Sequence, residues 1–175
     1  MLAVRNTLAY LACVVVAFFL QLVIAPYIAI GHAMPNFVVA VVLAGSVAGR
    51  NLPNVVVGFF AGMLYAFVCG GPVGALAAVL IVCAVLGELG VGALQTDGVL
   101  MPIVLLLATA FLAYTAMAFV NAAAGLSTSL ADSFVYIALP CTLYTWIASI
   151  VAFIAMRAVT KEQAPIVNLD TPSFR

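Results

Sequence analysis

The sequence predicts an all-α fold: a polytopic membrane bundle of about six transmembrane helices, with both termini in the cytoplasm. Three observations predict it. Hydrophobic residues make up 68 % of the chain, charged residues 6 %, and the mean hydropathy is +1.37. A soluble domain averages about 45–50 % apolar and about 25 % charged, so a water-soluble fold is excluded. The 175 residues hold six apolar runs at about 20 residues per membrane helix and little else. With both termini inside, the cytoplasmic segments contain Arg5, Arg50, Arg157, Lys161 and Arg175, which are all five cations of the chain. That asymmetry is what the positive-inside rule requires, and a five-helix count would scatter the cations across both sides.

The expected organisation is one transmembrane domain over residues 1–156, with helices near 7–25, 34–50, 53–70, 73–94, 99–120 and 133–156. A short cytoplasmic tail, 157–175, is too polar and too short for a core. The first run reads as an uncleaved membrane helix rather than a signal peptide, because further apolar runs follow it. Gln21, near its far end, sits at the membrane interface or bonds a neighbouring helix. Pro26 stops this helix, and the stretch to Asn36 is punctuated by proline and glycine like a connector. His32 lies there without a second histidine or a carboxylate cluster nearby, so a metal role is not expected.

Pro35 suits the first turn of the second helix, where a missing N–H costs nothing. Ala40, Ala44 and Ala48 recur every four residues and share one face. In the third helix Gly58 and Gly62 form a small-xxx-small pair, which lets another helix backbone approach closely. Both small faces serve packing within the bundle or contact with a partner. Gly70, Gly71 and Pro72, followed by Gly74, then supply a turn out of the membrane.

The fourth helix carries Glu88. Helical spacing places Ala77, Ile81, Ala84, Gly92 and Gln95 within about 40° of it, a small and polar face that should turn away from lipid. A carboxylate in a membrane run costs several kcal/mol and is a functional hypothesis by default; alternatively it reaches water or a donor near the cytoplasmic end. Pro102 falls in the first turn of the fifth helix, where it is tolerated. In the sixth, Pro140 is expected to kink the chain. Ala138, Thr142, Thr145, Ser149 and Ala152 form a hydroxyl-bearing stripe there, for interhelical bonding or a polar cavity. Cys13, Cys69, Cys83 and Cys141 lie in apolar runs without metal-ligand spacing.

No catalytic set, phosphate-binding loop or metal motif is present, so enzymatic chemistry is not expected, nor is a cofactor. Zero net charge gives no basic patch for nucleic acid. The remaining classes are a membrane assembly or scaffold protein and a small-solute binding subunit.

The order of motifs resembles the bacterial rod shape-determining protein MreD family. Gln21, Pro26, Gly31 and Pro35–Asn36 are followed by Gly58 and Gly62, then by Gly70–Gly71–Pro72–Val73–Gly74. The resemblance spans roughly residues 20 to 80 in motifs and the rest in hydropathy. One departure stands out: Tyr65 occupies the place where the family often carries an acidic residue. A role resting on that carboxylate does not transfer. The resemblance implies a non-enzymatic scaffold of the cell-elongation machinery in the bacterial cytoplasmic membrane. It would bind an MreC-type single-helix protein and work beside MreB, RodA and a class B penicillin-binding transpeptidase. The family also resembles in fold the substrate-binding subunits of energy-coupling-factor vitamin transporters, which is the alternative reading. A vitamin-binding subunit would need an outward polar pocket; a scaffold needs smooth small-residue faces.

Overall fold

The computed structural model describes residues 2–29, 33–48, 53–69, 74–94, 100–125 and 133–160. Within them the chain folds as a bundle of α-helices: α1 (Leu2–Val23), α2 (Phe37–Ala48), α3 (Asn54–Cys69), α4 (Ala75–Leu94), α5 (Leu100–Ala123) and α6 (Leu139–Thr160). A π-helical segment, Ser133–Ala138, leads into α6. Helices suit this sequence because a bilayer offers no water to satisfy backbone N–H and C=O groups, so each segment must satisfy its own. Four helices are long and apolar enough to cross a membrane, while Phe37–Ala48 and Asn54–Cys69 are shorter.

The boundaries differ from expectation where polar residues prove compatible with helix. α1 begins at Leu2 rather than near residue 7, because Arg5 points outward and Asn6 is buried. α5 continues through Asn121 to Ala123, into the stretch expected as connector. Pro140 brings a π-helical entry to α6. Its ring nitrogen has no N–H for the carbonyl four residues back, which disfavours ordinary i→i−4 bonding at that point. Phe134 in this entry meets Phe111 of α5 edge to face, 5.9 Å between ring centres.

Helix α2 is the axis of the bundle. It touches all five other helices, and Val38–Ala40 and Val42–Val47 are all buried. Its 12 residues extend only about 18 Å, less than the hydrocarbon thickness of about 30 Å. A helix so short, apolar on every side, is stable at the centre of a bundle and nowhere else. The others each keep an apolar face outward, as Phe19, Phe67, Leu89 and Val151 illustrate. Those faces meet lipid, which is as apolar as they are.

Successive helices run antiparallel. Early α1 meets late α2 through Tyr10 and Gly45, and late α1 meets the start of α2 through Gln21 and Phe37. The start of α3 meets late α4 through Asn54 and Glu88. We call the end where α1 begins the near end and the opposite one the far end.

Candidate functional site

The start of α2 is buried inside the protein, so its first backbone N–H groups need partners from the chain itself. Asn36 caps it, its side-chain oxygen accepting from Val39 N at 3.1 Å. Gln21 of α1 reaches across, and its Oε1 accepts from Phe37 N at 2.8 Å. The N–H of Asn36 itself donates to Thr145 Oγ1 of α6 at 3.1 Å. Thr145, fully buried, shares a second hydrogen bond of 2.6 Å with the Tyr114 hydroxyl of α5. Four helices are thereby tied at one buried point. Gln21, distant along the chain, converges there with the adjacent Pro35 and Asn36, both buried.

The hydroxyl stripe of α6 divides in two. Thr142 and Ser149 return their hydroxyls to their own helix, donating to Ala138 O and Thr145 O at 2.7 Å each. Only Thr145 bonds other helices. Trp146, mid-helix, donates its indole N–H to Ile103 O of α5 at 3.1 Å.

Gly58 and Gly62 both face α4, and Gly58 touches α2 as well. A Cβ at Gly62 would lie 2.5 Å from Ala77 Cα and 2.6 Å from Ala77 N, so the two backbones are in contact. At Gly58 the nearest atom would be Val42 Cγ1 at 3.4 Å, an ordinary separation. Ala40 and Ala44 are buried and Ala48 is half-buried. These small faces therefore meet helices of the same chain. Gly74, at φ +85°, starts α4 from a left-handed conformation that a side chain would resist. Pro26 lies in the turn that follows α1. Tyr65 is half-buried against the apolar core. Gly31, His32, Gly70, Gly71, Pro72 and Val73 lie outside the described residues, as do Arg50, Gln95 and residues 161–175, while 157–160 of the expected tail continue α6.

Glu88 is half-buried and accepts a hydrogen bond from Asn54 Nδ2 at 2.9 Å. Asn54 is fully buried. Beside this pair, Tyr10 packs its ring and hydroxyl against Gly45, and Ser46 packs against Gly87. Polar side chains of four helices thus gather near one end, a cluster with no sequence motif to announce it. The nearest signal is the amide of Asn54 opening an apolar run directly after Pro53. Among the described residues no group of three or more histidine, cysteine or acidic side chains could hold a metal ion. Cys83 and Cys141 are buried, Cys69 is exposed, and all four thiols are free.

The remaining feature is a groove of about 690 Å³ on the side of the bundle. Its walls are Ala12 to Leu20 of α1 and Tyr144 to Met156 of α6, and Ala40 and Val41 of α2 form its floor. It exists because α1 leans mainly on α2 and meets α6 only along a thin seam. The chain matches the profile of rod shape-determining protein MreD over residues 4–162. That is nearly its whole length. The chain belongs to the MreD family. Searches of curated proteins and of solved structures find no match. Membership carries a role in rod shape determination and marks a membrane protein of structural rather than known enzymatic character.

Proposed function

We propose that this MreD-family chain is a non-enzymatic scaffold of the cell-elongation machinery, and that it seats the transmembrane helix of an MreC-type partner. The lateral groove is the observation that carries this reading. Its α6 wall spans Tyr144 to Met156, a run of about 18 Å, enough for about three turns of a partner helix about 10 Å across. Ala148, Ala152 and Ala155 line one wall and Ala12 and Ala17 the other. Small side chains on both walls allow the close backbone approach that drives helix association in lipid.

The polar groups of the far end support the same reading. Gln21, Asn36, Tyr114 and Thr145 spend hydrogen bonds on one another and on the start of α2. A vitamin site would turn such groups toward an open cavity. In this reading the chain lies in the bacterial cytoplasmic membrane with its near end inward, beside MreB, RodA and a class B penicillin-binding transpeptidase.

The test is photocrosslinking in cells from a benzoylphenylalanine placed at Ala148 or Ala152, with Leu89 and Phe67 as lipid-facing controls. Adducts with an MreC-type protein from the two groove positions alone are the expected result. Equal adducts from all four positions would remove the groove from consideration. Co-purification of an ATPase module and a coupling subunit would replace the scaffold reading by that of a transporter subunit.

A further inference from the structure

The groove between α1 and α6 is walled by alanines and larger apolar side chains. Lipid tails are as apolar as leucine, so such a wall gains little by exchanging lipid for one helix rather than another. Its alanines admit any helix with a slender face and do not tell two of them apart. Discrimination needs a hydrogen bond, because a polar group left unpaired in an apolar site is rejected far more strongly than a misplaced methylene. Among the described residues that line the groove, Tyr144 alone carries a strong hydrogen-bonding group, while Cys13 and Met156 bring only sulfur.

The other polar side chains at this end are already committed. Gln21 accepts from Phe37 N, and Asn36 caps its own helix. Thr145 is shared between Asn36 and Tyr114. Tyr144 precedes Thr145, about 100° round α6, so that Thr145 is buried in the bundle while Tyr144 lines the groove. Tyr144 is half-buried, and its hydroxyl makes no hydrogen bond with any described residue. Its level follows from its neighbours. Pro35 and Phe37, at the buried start of α2, and Ile28, in the turn after α1, line the same end of the groove. Ala12, Ala155 and Met156 line the opposite end.

We propose that the Tyr144 hydroxyl is the group by which the groove selects its occupant. It hydrogen-bonds a polar side chain, of the serine, threonine, asparagine or glutamine kind, carried on the face of the partner helix that enters the groove. The alanines set how closely that helix approaches, and Tyr144 sets which helix stays. A wholly apolar helix leaves the phenol unpaired, and so does one whose polar residue lies on another face or another turn. The paired residue stands at the far end of the groove, about three turns from the partner residues that meet Ala155 and Met156. This inference rests on the scaffold reading, in which one partner helix fills the groove, and adds to it the chemistry of that helix.

The experiment is energy transfer between the labelled full-length chain and the labelled single-helix partner, titrated in lipid vesicles. Tyr144→Phe keeps the ring and removes the hydroxyl. It should weaken association about three- to tenfold, the effect of one interhelical hydrogen bond in a bilayer. Its unfolding midpoint should equal that of wild type, since the hydroxyl bonds no described residue of its own chain. Replacing the partner's groove-facing polar residue by valine or leucine should weaken association equally. The two changes together should lose no more than either alone, the mark of a direct pair. Benzoylphenylalanine at Ala148 reports independently that the partner lies in the groove. Unchanged affinity in Tyr144→Phe with those adducts intact would overturn the inference and leave the scaffold reading standing; the hydroxyl then meets water or lipid headgroups, as interfacial tyrosines do. Additive losses in the paired variants would overturn it as well. Absence of adducts with the partner at Ala148 would remove the scaffold reading and this pairing with it.

Discussion

Gly58 and Gly62 share one face of α3, yet the structure separates their roles. At Gly62 the α4 backbone lies where a Cβ would go, so Gly62→Ala must push α3 and α4 apart. Overpacking of this kind costs about 1–3 kcal/mol. At Gly58 an added methyl meets only ordinary contacts, and alanine is the better helix former by about 1 kcal/mol in water. The expected outcome is a clear loss of stability for Gly62→Ala and little change for Gly58→Ala, read by titration of reversible unfolding in mixed micelles. Equal effects would show that α3 does not sit on α4 as described. Thr145 offers a second test at a single side chain. Thr145→Val keeps its shape but removes the acceptor for Asn36 N–H and the partner of Tyr114. Interhelical hydrogen bonds in bilayers average about 0.6 kcal/mol and reach about 2; with two lost, a decrease near the upper figure is expected. Thr145→Ser should restore most of it, whereas Thr142→Val, which breaks only a bond within α6, should cost less.

Helix α2 depends on its cap more than a surface helix would. Water cannot replace a lost partner at a buried start, so the N–H of Phe37 relies on Gln21. Gln21→Leu leaves that N–H unsatisfied at about 1–3 kcal/mol. Gln21→Glu keeps an acceptor but buries a carboxylate at a cost of several kcal/mol, more than the about 2 kcal/mol at most that a helix N-terminus returns. The expected order of stability is therefore wild type above both Gln21→Leu and Gln21→Glu. Hydrogen exchange at the amides of Phe37 to Val39 should accelerate in Gln21→Leu before the other helices respond. The legibility of the sequence follows the same physics. Helical membrane class was plain, because apolar runs and cation placement are local, additive signals. Gln21, Pro35 and Asn36 stood out through the family's order of motifs; Pro35, expected in the first turn of α2, instead precedes its cap Asn36, because the helix begins at Phe37. Their shared partner was not legible: Thr145 lies 109 residues from Asn36, and its spacing matched Thr142 and Ser149 equally well. The small-residue faces were legible as packing faces but not in their direction, because α2 and α3 are approached by several helices. Asn54 bonds Glu88 across 34 residues, a pairing that only the antiparallel fold creates.

The groove between α1 and α6 is a property of the assembled molecule, since no two helices alone enclose it. Its floor is α2, which is held at the far end by Gln21 and Thr145. Filling it should block a partner while sparing the fold, because Ala148 and Ala155 line the groove outside the buried core, whereas Ala152 also packs on that core. A leucine at Ala148 or Ala155 adds methylenes on the groove side, unlike a leucine at Gly62. Ala148→Leu, Ala155→Leu and the double variant should unfold within about 0.5 kcal/mol of wild type, the usual range for substitutions outside packed contacts. Capture of the MreC-type partner should nevertheless fall, and most in the double variant, because close approach at small residues is what drives helix association in lipid. Cells depending on that variant should round up at normal protein level, measured by width and by immunoblot of the membrane fraction. Rod-shaped cells with full partner recovery would show that the partner docks elsewhere. A drop in protein level would instead mean that the groove closes in the native membrane and that its alanines pack against one another.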